Sequence, residues 1–222
     1  MDEAPEAASL SSLSVRQFMD RLSSSEPVPG GGSASALAAA LGASLISMVA
    51  GLSMDRPKYA AFEATHRRCD ALGRELSGRF LSLVDRDAEA YGGYAAALKM
   101  PRDTDEQKAA RQGAIRSAAR SASEVPWECV RACLDLVSAA ESLAGRSNVN
   151  ASSDVLVAAL LGEAAARGAA ENVLINLAAT GDDVFAGDMQ RDVDRALHDI
   201  AALAARTREI VLSGQTREPE SE

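Results

Sequence analysis

Aromatic residues make up only 4% of the 222 positions, with a single Trp. An interior without large rings must be filled another way, and a strand-paired fold would draw on Val, Ile, Thr and aromatics. Histidine is scarcer still. His66 and His198 have no acidic or cysteine partner nearby in sequence, so neither a metal site nor a Ser-His-Asp arrangement can be built around them. The three cysteines, Cys69, Cys129 and Cys133, are an odd number without metal-type spacing. Cys129 and Cys133 stand one helical turn apart and read as small buried residues on one face. No block of Lys or Arg occurs, and 23 basic against 32 acidic side chains leave a net charge of −9. Phosphate backbones are bound mainly by charge, which argues against nucleic acid as a partner but not against a small anion held by local cations. Few cysteines and no charged-then-apolar leader point to the cytoplasm.

Alanine is what the chain has in abundance, at 45 positions. Helices lined with it pack by close backbone approach, many weak contacts replacing a few large ones. The expectation is an all-α, single-domain bundle of six to seven helices. Its centre would be the stretch 34–54, which carries no charge. That length could span a bilayer, but Ala, Ser and Gly dominate it and insertion would be marginal. The alternative is a helix enclosed all round by other helices. Ala38 and Gly42, then Ser47 and Gly51, flatten one side of it and suit a helix-on-helix homodimer.

Residues 1–12 read as a loose tail, 13–213 as the helical domain and 214–222 as an acidic tail that frays. Ser14 and Gln17 form a capping-box pattern that opens a short helix to about Leu22, and Thr104 with Gln107 forms another. The segment 23–33, with two prolines and three successive glycines, reads as non-helical. Pro126 falls inside a pattern that runs on as a kinked helix to about Ala144. Gly214 stops the last helix.

Four groups of residues could carry chemistry. Gly30, Gly31, Gly32 and Ser33 open the uncharged helix, either as a close approach to a ligand or as a sharp turn with Ser33 as N-cap. Asn148, Asn150 and Asp154 gather at another helix start, where Asp154 is either a cap or a base beside a cleft. Asn172 and Asn176 lie one turn apart amid apolar neighbours, as a polar helix contact or a ligand contact. Asp154 and Asn172 share a stripe but stand about 27 Å apart along a straight helix, so one small pocket in one subunit cannot hold both. Asp85 and Asp87 point about 200° apart, so at most one faces a given cleft; Asp87 shares its face with Tyr91. Lys58 is a cation for an anionic ligand or a solvated lysine. Trp127 beside Pro126 reads as a core anchor.

The segments PVPGGGSASALAAALGASL, LVDRDAEAYGGYAAALKMPRDT, VPWECV and SNVNASSDVLVAALLGEAAARGAAENVLINL occur in this order. In that order they resemble the cyclodeaminase/methenyltetrahydrofolate cyclohydrolase family, which includes the C-terminal half of formiminotransferase-cyclodeaminase. The resemblance covers about Leu13 to Leu212. It implies an all-α homodimer and a tetrahydrofolate derivative as substrate, with no metal and no prosthetic group. It implies either water addition to the 5,10-methenyl bridge, giving 10-formyltetrahydrofolate, or loss of ammonia from 5-formiminotetrahydrofolate. A non-catalytic folate-binding or scaffold member is the third possibility. Asp154 and Asp87 match the family's acidic positions and would be proton shuttle and bridge stabiliser, in either order. Gly30, Gly31, Gly32 and Ser33 would approach the ligand, Asn148 and Asn150 would meet the pterin edge, and Lys58 the glutamate tail. Two departures stand out: Ser147 where the family often has Gly, and Met54-Asp-Arg-Pro57 where it has a basic run. No formiminotransferase half accompanies the sequence, which favours the cyclohydrolase.

Overall fold

A computed structural model describes residues 9–219. Among them lie six α-helices and no strands: α1 Val15–Leu22, α2 Gly31–Ser53, α3 Glu63–Leu98, α4 Asp105–Leu143, α5 Ser152–Leu177 and α6 Asp183–Ser213. Short 3-10 turns, Pro57–Phe62 and Val149–Ala151, lead into α3 and α5. Both capping boxes form as the sequence indicates, at Ser14 with Gln17 and at Thr104 with Gln107. Gly214 takes the left-handed conformation (φ 65°) that ends α6.

Helices α2 to α5 run alternately up and down. The start of α2 lies beside the end of α5, where Gly31 approaches Asn172, while Gly42 in mid-helix faces Ala158. The same start lies beside Asp87 of α3, and Ala43 and Ser47 lie against Gly73. The core is made largely of alanine, with Phe80, Ile46, Leu76, Leu83, Leu136 and Ile200 as its largest fully buried members. All three cysteines are buried. Cys133 is pushed well above the ordinary thiol range by its contact with Cys129 and by burial.

Four expectations change. The glycine segment is partly helical, because α2 begins at Gly31 and its N-cap is Gly30 rather than Ser33. The uncharged helix is not enclosed all round, since Leu41 is 56% and Met48 41% exposed. Residues Val149–Leu177 are a second stretch long and apolar enough to cross a membrane, and like α2 less than half of it is buried. The tails are also tied down where described. Ser11 donates to Asp85 from its backbone N–H and its hydroxyl, and Leu10 is buried. The Arg217 N–H donates to Gly145, and the Arg146 side chain to the Glu218 carbonyl. Residues 1–8 and 220–222 lie outside the described residues, with the rest of the expected tails.

Pro126 sits buried within α4, and the helix continues through it. Proline has no N–H, so the Ala122 carbonyl one turn back loses its helical donor. The Asn176 amide of α5 replaces it, 3.0 Å from that oxygen.

The crossing of α2 and α3 depends on Gly73. A Cβ there would stand 2.8 Å from both the Ala43 carbonyl and the Ser47 nitrogen. We expect Gly73→Ala to destabilise the chain by about 1–3 kcal/mol in urea unfolding, as overpacked cores do. Gly113→Ala, in an open position of α4, should instead stabilise by about 0.5–1 kcal/mol.

Candidate active site

The first turn of α2 presents N–H groups with no helical acceptor, and its Gly30 cap has no side chain to offer. The acceptor comes from another helix. Asp87 of α3 brings its carboxylate to this end, where Oδ2 lies 2.8 Å from the Ser33 hydroxyl, and the Ser33 backbone N–H also favours the ionised carboxylate. Gly32 makes room for it, since a Cβ there would lie 2.1 Å from Asp87 Oδ1 and 2.6 Å from its Cγ. The third glycine is therefore required by a carboxylate of the protein itself, before any ligand is considered. Asp85, pointing the other way, is taken by Ser11.

Asp87 opens into a cavity of about 400 Å³. Gly30, Gly31 and Gly32 form one wall, Tyr91 and Tyr94 of α3 another, and Asn172 and Asn176 of α5 a third. No Lys or Arg lines it. Burial pushes the Asp87 carboxyl above its ordinary range, and the Ser33 hydroxyl and N–H pull it part of the way back. A carboxyl held without a counter-cation takes and returns a proton near neutral pH more readily than an exposed one. Asn172 donates to the Gly168 carbonyl and Asn176 to the carbonyls of Ala122 and Asn172. The Asn176 amide hydrogens are thus occupied, which leaves its oxygen to receive a donor from a ligand.

The other sequence-predicted residues lie at the opposite end of the bundle. Asn148 caps the turn before α5, donates to Leu52 through its side chain and takes the Ser53 hydroxyl as acceptor for its N–H. Asn150 is exposed there, with its N–H on the Asn148 side chain. Asp154 is in the first turn of α5. Lys58 lines a second cavity of about 210 Å³ with Tyr59, Arg146 and Ser147. Within one chain the structure therefore joins Gly30, Gly31, Gly32 and Asp87, and separates them from Lys58, Asn148, Asn150 and Asp154. Ser33 is completely buried behind Asp87 and does not line the cavity. Tyr94, Asn172 and Asn176 complete it. Their spacing on α3 and α5 was the available signal: Asn172 and Asn176 one turn apart, Tyr94 beside a Gly-Gly pair and two turns beyond Asp87.

Residues 14–195 match the family model described as formiminotransferase-cyclodeaminase. The chain belongs to that family. Among family members, the methenyltetrahydrofolate cyclohydrolase of Methylorubrum extorquens is 37% identical over 203 residues, covering 90% of this chain and 96% of that protein. The formimidoyltransferase-cyclodeaminase of Sus scrofa is 36% identical over 91% of this chain, which spans only 38% of that longer protein. The crystal structure of formiminotetrahydrofolate cyclodeaminase from Thermotoga maritima superposes with a TM-score of 0.82 at 27% identity, covering 91% of this chain and 97% of that one. The fold expected from the sequence is thus the fold of the family.

The buried carboxylate has a consequence for stability. Its folded proton affinity lies above the unfolded one, so its ionisation lowers stability as pH rises past the ordinary Asp value of 3.8. Asp87→Asn keeps an acceptor for Ser33 and removes the charge. We expect its melting temperature to exceed wild type by a few degrees at pH 7, with the gain fading as pH falls toward 3.8 and absent below it.

Proposed function

We propose that this chain is a methenyltetrahydrofolate cyclohydrolase, interconverting 5,10-methenyltetrahydrofolate and 10-formyltetrahydrofolate. The observation that carries the proposal is a half-buried carboxylate with no counter-cation among the described residues, facing a 400 Å³ cavity walled by two tyrosines and two amides. The methenyl bridge is a cationic, amidine-like carbon between N5 and N10. An ionised Asp87 beside it supplies the missing opposite charge and accepts a proton as water adds to the carbon. The resulting tetrahedral carbon then releases N5, which takes a proton, and the formyl group stays on N10; one proton leaves overall. Tyr91 and Tyr94 offer faces for a flat pterin. The amide oxygen of Asn176 suits the hydrogen-bond donors on the pterin edge.

The cyclodeaminase reaction is the second reading, supported by the relative from Thermotoga maritima. There N10 attacks the formimino carbon and ammonia departs, and the same carboxylate would move the proton. Because the chain is 37% identical to the cyclohydrolase from Methylorubrum extorquens, against 27% to the cyclodeaminase from Thermotoga maritima, we place water addition first.

We further propose a homodimer built on the open face of α2 and α5. These helices are antiparallel neighbours, and Leu41, Met48, Val157 and Leu160 form an uncovered apolar strip along them. In a chain with 25% charged residues, an uncharged strip needs cover. A two-fold axis through the middle of the strip places the Asp154 end of one copy over the Asp87 end of the other. That arrangement gives Asp154, Asn148, Asn150 and Lys58 access to the same bound folate, with Lys58 toward its glutamate tail.

Methenyltetrahydrofolate absorbs in the near ultraviolet and its formyl product does not. We expect the chain to accelerate loss of that absorbance, and Asp87→Asn to slow it by about 100-fold or more, the usual scale of proton-transfer catalysis. Full turnover in both Asp87→Asn and Asp154→Asn would refute the assignment. The same assay started from formiminotetrahydrofolate separates the two reactions.

For the dimer, sedimentation equilibrium should show two copies at micromolar concentration. Leu41→Glu with Leu160→Glu should give a folded monomer of much reduced activity. A monomeric wild type, or one that requires detergent or lipid to stay in solution, rejects the dimer.

A further inference from the structure

We propose that Ser33 is a positioning residue that aims the Asp87 carboxylate and sets its proton affinity, rather than a substrate contact. The inference rests on Asp87 being the proton-transfer group. Three observations carry it. Ser33 has no exposed surface, so a ligand in the cavity cannot reach it. Its hydroxyl lies 2.8 Å from Asp87 Oδ2 and 3.2 Å from the Val84 carbonyl, two acceptors for one hydrogen. Its backbone N–H, in the first turn of α2, also favours the ionised carboxylate. Gly32 closes the other side, because any side chain there would occupy the place of Oδ1.

Two acceptors for one hydroxyl hydrogen make the contact responsive. While Asp87 is ionised, the hydroxyl donates to it, since a charged acceptor is the stronger one. Once Asp87 takes a proton, the hydroxyl can turn to the Val84 carbonyl, which lies one turn earlier on the same helix α3. The carboxyl changes protonation state without leaving a buried donor or acceptor unsatisfied and without movement of the backbone. This is how a buried acid with no cation is kept available as a base.

The groups facing Asp87 leave this task to Ser33. Tyr91 and Tyr94 of α3 share its cavity, and Cys129 of α4 lines a small cleft on its other side. The polar groups from helix α5 are the neutral Asn172 and Asn176, and those from α2 are its backbone and Ser33. Among the described residues, no charged side chain other than Asp87 lines either cavity.

The test is Ser33→Ala, followed by carbon-13 NMR of labelled aspartate carboxyls, with the Asp87 signal identified by its loss in Asp87→Asn. Removing one hydrogen bond to the charged form should raise the Asp87 titration midpoint by about one pH unit. The acid limb of kcat/KM should move upward by the same amount, while KM for methenyltetrahydrofolate stays within about two-fold. An unmoved Asp87 titration overturns the proposal, and so does a large rise in KM with an unmoved limb, the signature of a lost substrate contact. A shifted titration combined with wild-type turnover in Asp87→Asn would overturn the catalytic reading of Asp87 and leave Ser33 holding a structural carboxylate, which separates the two failures.

Discussion

The capping of α2 by Asp87 ties together most of what is particular to this molecule. A helix with no charged residue from Gly31 to Ser53 has nothing of its own to place against its first N–H groups, and at a buried end those groups must find an acceptor. The acceptor is a carboxylate carried by α3, and it can reach the helix end only because residue 32 has no side chain. The contact locks α3 against α2 and leaves a half-buried carboxyl at the cavity wall with no cation lining that cavity among the described residues. Protonation chemistry and helix termination thus share one group.

The same economy appears across the cavity. Pro126 deprives Ala122 of a helical donor, and Asn176 supplies one from α5. The amide that repairs α4 also stands in the cavity wall. A polar residue in an apolar helix is stable here because its hydrogens have partners, and its remaining oxygen is the part a ligand can use. Close packing of alanine and glycine makes such short reaches possible. Leu136 and Ala158 both press on Gly42, where a larger residue would hold the helices apart.

Local signals in the sequence were reliable where chemistry acts over one turn. The two capping boxes, the stop at Gly214, the run of α4 through Pro126 and the pairing of Cys129 with Cys133 are all short-range features, and each stands in the structure. Two readings failed because their outcome lay on distant parts of the chain. Ser33 looks like an N-cap in sequence, but its hydroxyl is directed to Asp87, fifty-four positions away. The C-terminal tail looks free, but Gly145 and Arg146 hold its backbone. Asn172 and Asn176 were ambiguous for the same reason, since an amide's partner cannot be inferred from the helix that carries it.

By itself the sequence determined the helical class, the order of the helices and most of their ends, and the distance that keeps Asp154 from Asn172 on one helix. These follow from backbone preference, periodicity and the fixed rise of a helix, all of which are properties of neighbouring residues. Only the tertiary structure decided which of Asp85 and Asp87 faces a cavity, what Gly32 is for, and which residues stand together at each end of the bundle. Those outcomes depend on how antiparallel helices align in register, and register is set by the packing of many side chains at once.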